Sequence, residues 1–161
     1  MEKHEELFTS LRKVIRAIDL HSKALSKTVG LTGPQLVILQ QIARVKGILA
    51  SQVAQDVNLS PATVTSIIDR LENRGLVFRV RSNEDKRRVG LFITEEGQQV
   101  LITAPQPLQD HFIEKFSALA EWEQSLLLSS MQRIAGMMDA QNLDAAPILE
   151  VGAIDPVSSK K

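Results

Sequence analysis

Hydrophobic residues recur every three or four positions at the start of the chain, which is the spacing of one face of an α-helix. The pattern predicts a long amphipathic helix from Glu5 to Val29, and Gly30 is suited to end it. A second helix is predicted to begin after Thr32, which can cap it, with Pro34 in its first turn. The residues that follow are apolar almost all round, so we expect this second helix to be buried.

The middle of the chain contains several short elements. Residues 48–49 could form a short strand, and residues 51–57 fit a two-turn helix. Ser60 followed by Pro61 is a helix cap with proline at the first helical position, where its missing N–H costs nothing. The helix that starts there should run to about Arg74. Its buried face is predicted to consist of Val64, Ile67, Ile68 and Leu71.

A β-hairpin is predicted to follow this helix. Residues 76–81 and 89–93 are rich in β-branched and other apolar residues, and the polar run between them is suited to a turn. Because that run ends in three cations, the tip of the hairpin should be strongly basic.

Two further helices are predicted after the hairpin. Thr94 can cap the first of them, but Pro105 and Pro107 predict a kink or a break near Ala104. The second should span about residues 121–140. These elements together predict a mainly α protein with the order helix, helix, strand, helix, helix, strand, strand, helix, helix.

The order of short helix, tight turn, capped helix and basic hairpin is that of a winged helix-turn-helix, in which the second helix of the pair enters the DNA major groove. A helix end that lies against base edges must be narrow, and hydroxyls can donate to or accept from any base. The start of the fourth helix fits this requirement. Its candidate DNA-binding residues are Ser60, Ala62, Thr63, Thr65 and Ser66. The alternative is that a Ser/Thr-rich start serves only as a cap.

Cations farther along suggest contacts with the DNA backbone. Arg70 and Arg74 are better placed to contact phosphate than bases. The hairpin tip is suited to a DNA minor groove, because an arginine inserted there meets concentrated negative potential. The cations of that tip are Lys86, Arg87 and Arg88. Asp85 is predicted to orient this wing by a bidentate pair with a neighbouring guanidinium. The alternative is a hairpin tip that is simply solvated.

Composition narrows the function classes. The net charge of zero conceals a separation, because residues 1–93 carry 15 Lys and Arg against 9 Asp and Glu, and residues 94–159 carry 2 against 10. A basic part could face an anionic partner, although chance segregation on a solvated surface is the alternative.

Cysteine is absent, which excludes disulfides and thiolate chemistry. No membrane span or signal peptide is apparent, so we expect a cytoplasmic protein.

The stretch LENRGLVFRVRSNEDKRRVGLFITEEG resembles the signature of the MarR family of bacterial transcriptional regulators. The resemblance covers about residues 5–140 and implies an obligate homodimer whose first, fifth and sixth helices interlock. It implies dimerisation helices at residues 5–31 and 98–140 and a winged helix-turn-helix at 32–97. It also implies that Arg87 reaches the minor groove with Asp85 bracing it. The length of the chain predicts that residues 1–161 form a single domain.

The tail, residues 142–161, lies beyond the usual family pattern and is expected to be partly mobile. It nevertheless contains apolar residues that could dock: Ile148, Leu149, Val151 and Ile154.

The run LRKVIRAIDLHSKALSKTVGLTGPQLVILQ also resembles a MarR subgroup that regulates ectoine and other compatible-solute operons. This resemblance implies a hypothesis with a physical basis, that osmotic state is sensed partly through DNA affinity itself. Binding that releases phosphate counterions weakens steeply as salt rises.

Other kinds of site find little support in the sequence. The three histidines are far apart and lack carboxylates at metal-ligand spacing, so neither a metal nor a cofactor is predicted. The family resemblance implies an effector crevice, and Arg16 and His21 are candidates to line it. The alternative for these two residues is plain surface or helix packing.

No catalytic grouping is apparent, so an enzyme is not predicted. A winged-helix protein-interaction module and a helical small-molecule binder without DNA binding remain alternatives to a regulator.

Overall fold

The computed structural model describes residues 2–143 and 145–151, and most of these residues are helical. The seven helices of the described residues are α1 (Lys3–Val29), α2 (Gly33–Arg44), α3 (Ala50–Val57), α4 (Pro61–Asn73), α5 (Glu95–Thr103), α6 (Leu108–Ser117) and α7 (Glu121–Met137). The strands are β1 (Ile48–Leu49), β2 (Val77–Arg81) and β3 (Val89–Ile93). The predicted mainly α winged helix-turn-helix is confirmed, with one helix more than predicted.

The additional helix arises where the two prolines interrupt the predicted fifth helix. α5 ends at Thr103, Ala104 is extended, and α6 begins only after Pro107. Proline lacks an N–H and disfavours a helical conformation in the residue before it, so the chain breaks here rather than bending.

Contacts within the chain group the described residues into two compact units. The first contains residues 2–105 and 146–151, and the second contains residues 106–143 and 145. The predicted division into dimerisation helices at 5–31 and 98–140 and a winged helix at 32–97 concerns function, so it remains a prediction.

The sheet of the first unit has the strand order β1-β3-β2, with both pairs antiparallel. Ile48 pairs with Leu91, and Val77 pairs with Ile93. The hairpin between β2 and β3 is closed by the Ser82 amide, which donates to the Arg88 carbonyl at 2.9 Å. The predicted hairpin with its basic tip is therefore confirmed.

The core of the first unit forms where α2 and α4 bury their apolar faces. Thr32 caps α2 by accepting from the Gln35 amide at 3.4 Å, as predicted, and the helix then buries most of its apolar residues. α4 buries the predicted face, which consists of Val64, Ile67, Ile68 and Leu71. Because this face is fixed in the core, the opposite face of α4 is turned to solvent.

The start of α5 is fixed on the turn before β2. Thr94 accepts from the Gly97 amide at 3.0 Å and donates its hydroxyl to the Gly75 carbonyl at 2.7 Å. Gly97 packs so closely that a Cβ there would overlap the Leu76 carbonyl and lie 2.7 Å from Cγ1 of Ile93.

The segment that ends the described chain belongs to the first unit. Ile148 is buried in its core, and the Gly33 amide at the start of α2 donates to Oε2 of Glu150 at 3.2 Å. Docking was predicted for Leu149 and Val151 as well, but these side chains are exposed. Ile154 and the rest of residues 152–161, for which partial mobility was predicted, lie outside the described residues.

Candidate nucleic-acid interface

The tip of α4 is built by a reciprocal cap. Oγ of Ser60 accepts from the Thr63 amide at 3.1 Å, and the Ser60 hydroxyl donates to Oγ1 of Thr63 at 2.7 Å. This cap satisfies one of the free amides of the first turn and holds both hydroxyls at the end of the helix. Ser60 and Thr63 are thus half-buried in the cap, whereas Ala62, Thr65 and Ser66 are exposed.

Farther along the exposed face of α4, two acidic side chains share one arginine. Nη2 of Arg79 on β2 lies 2.6 Å from Oδ1 of Asp69, and its Nη1 lies 2.7 Å from Oε2 of Glu72. Burial alone would lower the pKa of Arg79, but the hydrogen bonds with Asp69 and Glu72 outweigh it and raise that pKa above its ordinary value. This cluster could not be predicted from the sequence, because nothing in the sequence shows how β2 lies relative to α4.

The two arginines predicted to contact phosphate have different surroundings. Arg70 is exposed on α4. The Arg74 guanidinium instead donates to the carbonyls that end α1, from Nη1 to Gly30 at 2.7 Å and from Nη2 to Val29 at 3.1 Å. The structure thus gives Arg74 a capping role that the sequence analysis did not foresee, and its predicted phosphate contact remains untested.

Asp85 orients the wing in a way that differs from the prediction. Its Oδ1 accepts from the backbone amide of Arg87 at 3.0 Å, and its carbonyl accepts from the Arg88 amide at 2.9 Å. The ion pairs found in the described residues do not include the predicted pair between Asp85 and a guanidinium. The carboxylate therefore shapes the backbone of the tip, and the side chains of Lys86, Arg87 and Arg88 are exposed there.

The candidate effector residues lie on α1. Arg16 lies 3.1 Å from Oδ2 of Asp19, whose pKa is lowered chiefly by a hydrogen bond from Lys23 at 2.9 Å. His21 is half-buried and follows Arg16 by five residues, which is about 140° around a helix. The two candidates therefore do not share one face of α1.

Within residues 2–143 and 145–151, there is no cluster of His, Asp and Glu side chains that could hold a metal ion. No helix in the same residues is both long enough and apolar enough to cross a membrane.

The first unit has the elements of a winged helix-turn-helix protein. α2 and α4 bury their apolar faces, α4 begins with a capped tip of small exposed side chains, and a cationic hairpin follows it. Comparison with known proteins agrees with this class, because residues 31–89 match the MarR family. The transcriptional regulator HosA of Escherichia coli O111:H- is 34% identical over 110 residues, which cover 68% of this chain and 79% of HosA. The chain therefore belongs to the MarR family of winged-helix transcriptional regulators.

Solved structures show the same fold. The transcriptional regulator BldR of Sulfolobus solfataricus is 28% identical, with a TM-score of 0.54, and the match covers 85% of this chain and 99% of BldR. Streptococcus pneumoniae FabT, solved in complex with DNA, is 21% identical, with a TM-score of 0.53 and coverage of 85% of this chain and 96% of FabT.

Proposed function

We propose that this chain is a sequence-specific DNA-binding regulator that acts as a homodimer on a pseudopalindromic operator, as a repressor in the cytoplasm. The observation that carries the proposal is the exposure, on one compact unit, of both a narrow hydroxyl-bearing helix tip and a triply cationic hairpin tip. The family membership and the solved complex of FabT with DNA support it.

The tip of α4 supplies the groups that would read bases. Ala62, Thr65 and Ser66 are exposed and short, so the helix backbone can approach base edges closely. Arg70 would contact backbone phosphate, and the Ala62 amide, which remains in the first turn of α4 after the Thr63 and Val64 amides have bonded to Ser60, would favour a phosphate near Ser60. The side chains at the wing tip would enter an adjacent minor groove.

Exposed apolar surface supports the homodimer. In the first unit, α1 exposes Phe8, Val14 and Ile15, and in the second unit α7 exposes Trp122 and Leu126. Large apolar patches on the surface of a soluble protein mark association sites. In a symmetric dimer the two α4 helices would lie about 34 Å apart, one turn of DNA, and would read two half-sites.

The resemblance to regulators of compatible-solute operons suggests osmoprotectant genes as targets. If six or more phosphates are contacted, affinity should fall by roughly 1000-fold or more over a few-fold rise in salt. Repression would then relax as the salt inside the cell rises. A small-molecule effector that acts near Arg16 or His21 would be a separate input, and it remains a prediction.

Selection of duplexes from a random pool by the purified full chain tests the proposal. We expect an enriched motif with two half-sites about one helical turn apart. Fluorescence anisotropy titrations of the selected duplex and of a scrambled one, at several salt concentrations, should show a preference for the selected duplex and a steep salt slope. Absence of binding to any duplex at low salt would favour a protein-interaction module or a small-molecule binder instead. A shallow slope would remove the osmotic hypothesis alone.

A further inference from the structure

The cluster of Asp69, Glu72 and Arg79 joins the two elements that the proposed function places on DNA. Asp69 and Glu72 lie three residues apart on one face of α4, and Arg79 lies on the strand that leads into the wing. Alternation along β2 places Arg79 on the same face as the buried Val77, whereas Phe78 and Val80 lie on the opposite, exposed face. Arg79 is therefore directed toward α4 by the strand itself.

From this geometry we infer that Arg79 is a positioning residue, which fixes α4 relative to the wing so that both engage adjacent grooves together. This inference rests on the proposed function. The guanidinium contacts one carboxylate with each terminal nitrogen, at 2.6 and 2.7 Å, so it restrains α4 at two points one helical turn apart. A lysine has a flexible ammonium with rotatable donors in place of the planar guanidinium fork, so it cannot fix the two carboxylates in this geometry.

Stability alone does not account for so specific an arrangement. The side chains of Arg79, Asp69 and Glu72 are 31, 56 and 40% exposed, and ion pairs at such exposure contribute little to folding. Orientation matters more at a nucleic-acid surface, because two rigidly linked contact elements bind without first being ordered against each other.

The cluster also has an electrostatic effect, which must be separated from positioning. Asp69 and Glu72 with Arg79 carry a net charge of −1, so removal of Arg79 leaves −2 on a face of α4 that lies next to the proposed base-reading residues. Any DNA phosphate nearby would be repelled more strongly. A decisive experiment therefore needs variants in which charge and positioning change separately.

The chain offers a matched control on the same strand. Arg81→Ala removes one positive charge from β2, as Arg79→Ala does, but Arg81 is exposed and is not in the ion pairs of the described residues. The triple variant Asp69→Asn/Glu72→Gln/Arg79→Ala removes the bridge and leaves the cluster neutral, which is electrostatically more favourable toward DNA than the natural cluster.

Affinities of the full-length variants for the selected and the scrambled duplex provide the test. We expect Arg79→Ala to weaken binding to the selected duplex by about tenfold more than Arg81→Ala does, the size of losing one good base contact. The triple variant should remain weak on the selected duplex while binding the scrambled duplex at least as well as the natural chain. Recovery of the natural affinity for the selected duplex by the triple variant, or equal losses for the two single variants, would overturn the inference.

Two milder variants keep the test valid if Arg79→Ala fails to fold. Arg79→Lys keeps the charge but loses the planar fork, and Glu72→Ala removes one of the two contacts and keeps the ion pair with Asp69, so both should lower the ratio of selected to scrambled affinity with unchanged thermal stability. An unchanged ratio in both variants would overturn the inference. Failure of the natural chain to bind any duplex would overturn the proposed function and this inference together, and that binding is measured first.

Discussion

The Arg74 guanidinium donates to the Gly30 carbonyl at 2.7 Å, so the residue that caps the C-terminal end of α4 also closes the C-terminal end of α1. The last carbonyls of a helix lack intrahelical partners and carry partial negative charge, which a cation at that position satisfies. Gly30 adopts the left-handed conformation, with φ of 68°, that glycine accommodates at a helix end.

Arg74→Ala should lower the free energy of unfolding by about 1 kcal/mol, because it leaves the carbonyls at the end of α1 without this donor. Urea unfolding followed by circular dichroism measures the change. Arg70→Ala, one turn earlier on the same helix, is the control and should leave stability nearly unchanged. It should instead reduce the salt slope of DNA binding by about one. A similar reduction of the slope by Arg74→Ala, with unchanged stability, would support the predicted phosphate contact of Arg74 and contradict a stabilising role of this cap.

Arg87→Ala should weaken binding to selected and scrambled duplexes alike and flatten the salt slope, because an exposed cation at the wing tip contributes without regard to sequence. Anisotropy titrations at several salt concentrations measure both effects. Ser66→Ala provides the contrast, since an exposed hydroxyl on α4 should act mainly on discrimination between duplexes. Equal losses on both duplexes for Ser66→Ala would contradict its assignment to base reading.

Asp85 offers a comparison in which charge is held constant. Asp85→Asn and Asp85→Ala remove the same negative charge, but only asparagine keeps an oxygen that can accept from the Arg87 amide. The alanine variant should therefore bind DNA about fivefold more weakly than the asparagine variant, the net value of one hydrogen bond that shapes the tip. Equal affinities in the same titration would show that this turn does not need the carboxylate side chain.

Gly97→Ala should destabilise the first unit by about 1–3 kcal/mol, because a methyl group would overlap the Leu76 carbonyl and crowd Ile93. The overlap is with backbone, so it cannot be relieved by rotating a side chain. Thermal unfolding measures the loss, and Gly136→Ala on α7 is the control, because a Cβ there meets only one side-chain atom, 4.0 Å away. No destabilisation of Gly97→Ala would mean that the start of α5 can shift away from the Leu76 carbonyl.

Ile148→Ala should cost about 2 kcal/mol of stability, at the low end for a core aliphatic residue, because Ile148 fills the edge of the core beside α2. Leu149→Ala is the matched control, since Leu149 is its exposed neighbour and should tolerate truncation. The same denaturant titration serves for both, and equal effects would show that the segment does not dock in solution.

Much of the first unit could be predicted from local signals. Thr32, Ser60 and Thr94 cap helices at the positions that their hydroxyl side chains predicted. The strand at residues 89–93 also has the predicted bounds. The break after Ala104 followed from proline chemistry alone. These features depend on a few neighbouring residues, so the sequence contains nearly all the information that fixes them.

The contacts that were missed depend on elements far apart in the chain. The bonds from Arg74 to Val29 and Gly30 and from Arg79 to Asp69 and Glu72 require the relative placement of α1, α4 and β2. An exposed arginine on a helix near a basic hairpin is equally suited to a phosphate and to a helix end. The sequence does not show how α4 packs against α1, so it could not predict the bonds from Arg74 to the end of α1.

The bond from the Gly33 amide to Glu150 spans 117 positions and connects the start of α2 to the end of the described chain. On the ribosome, the chain that forms the winged helix is made before Ile148 and Glu150, which reach it only when translation has passed them. A premature stop codon or a fusion just before residue 148 would thus affect a part of the protein that was synthesised about a hundred residues earlier.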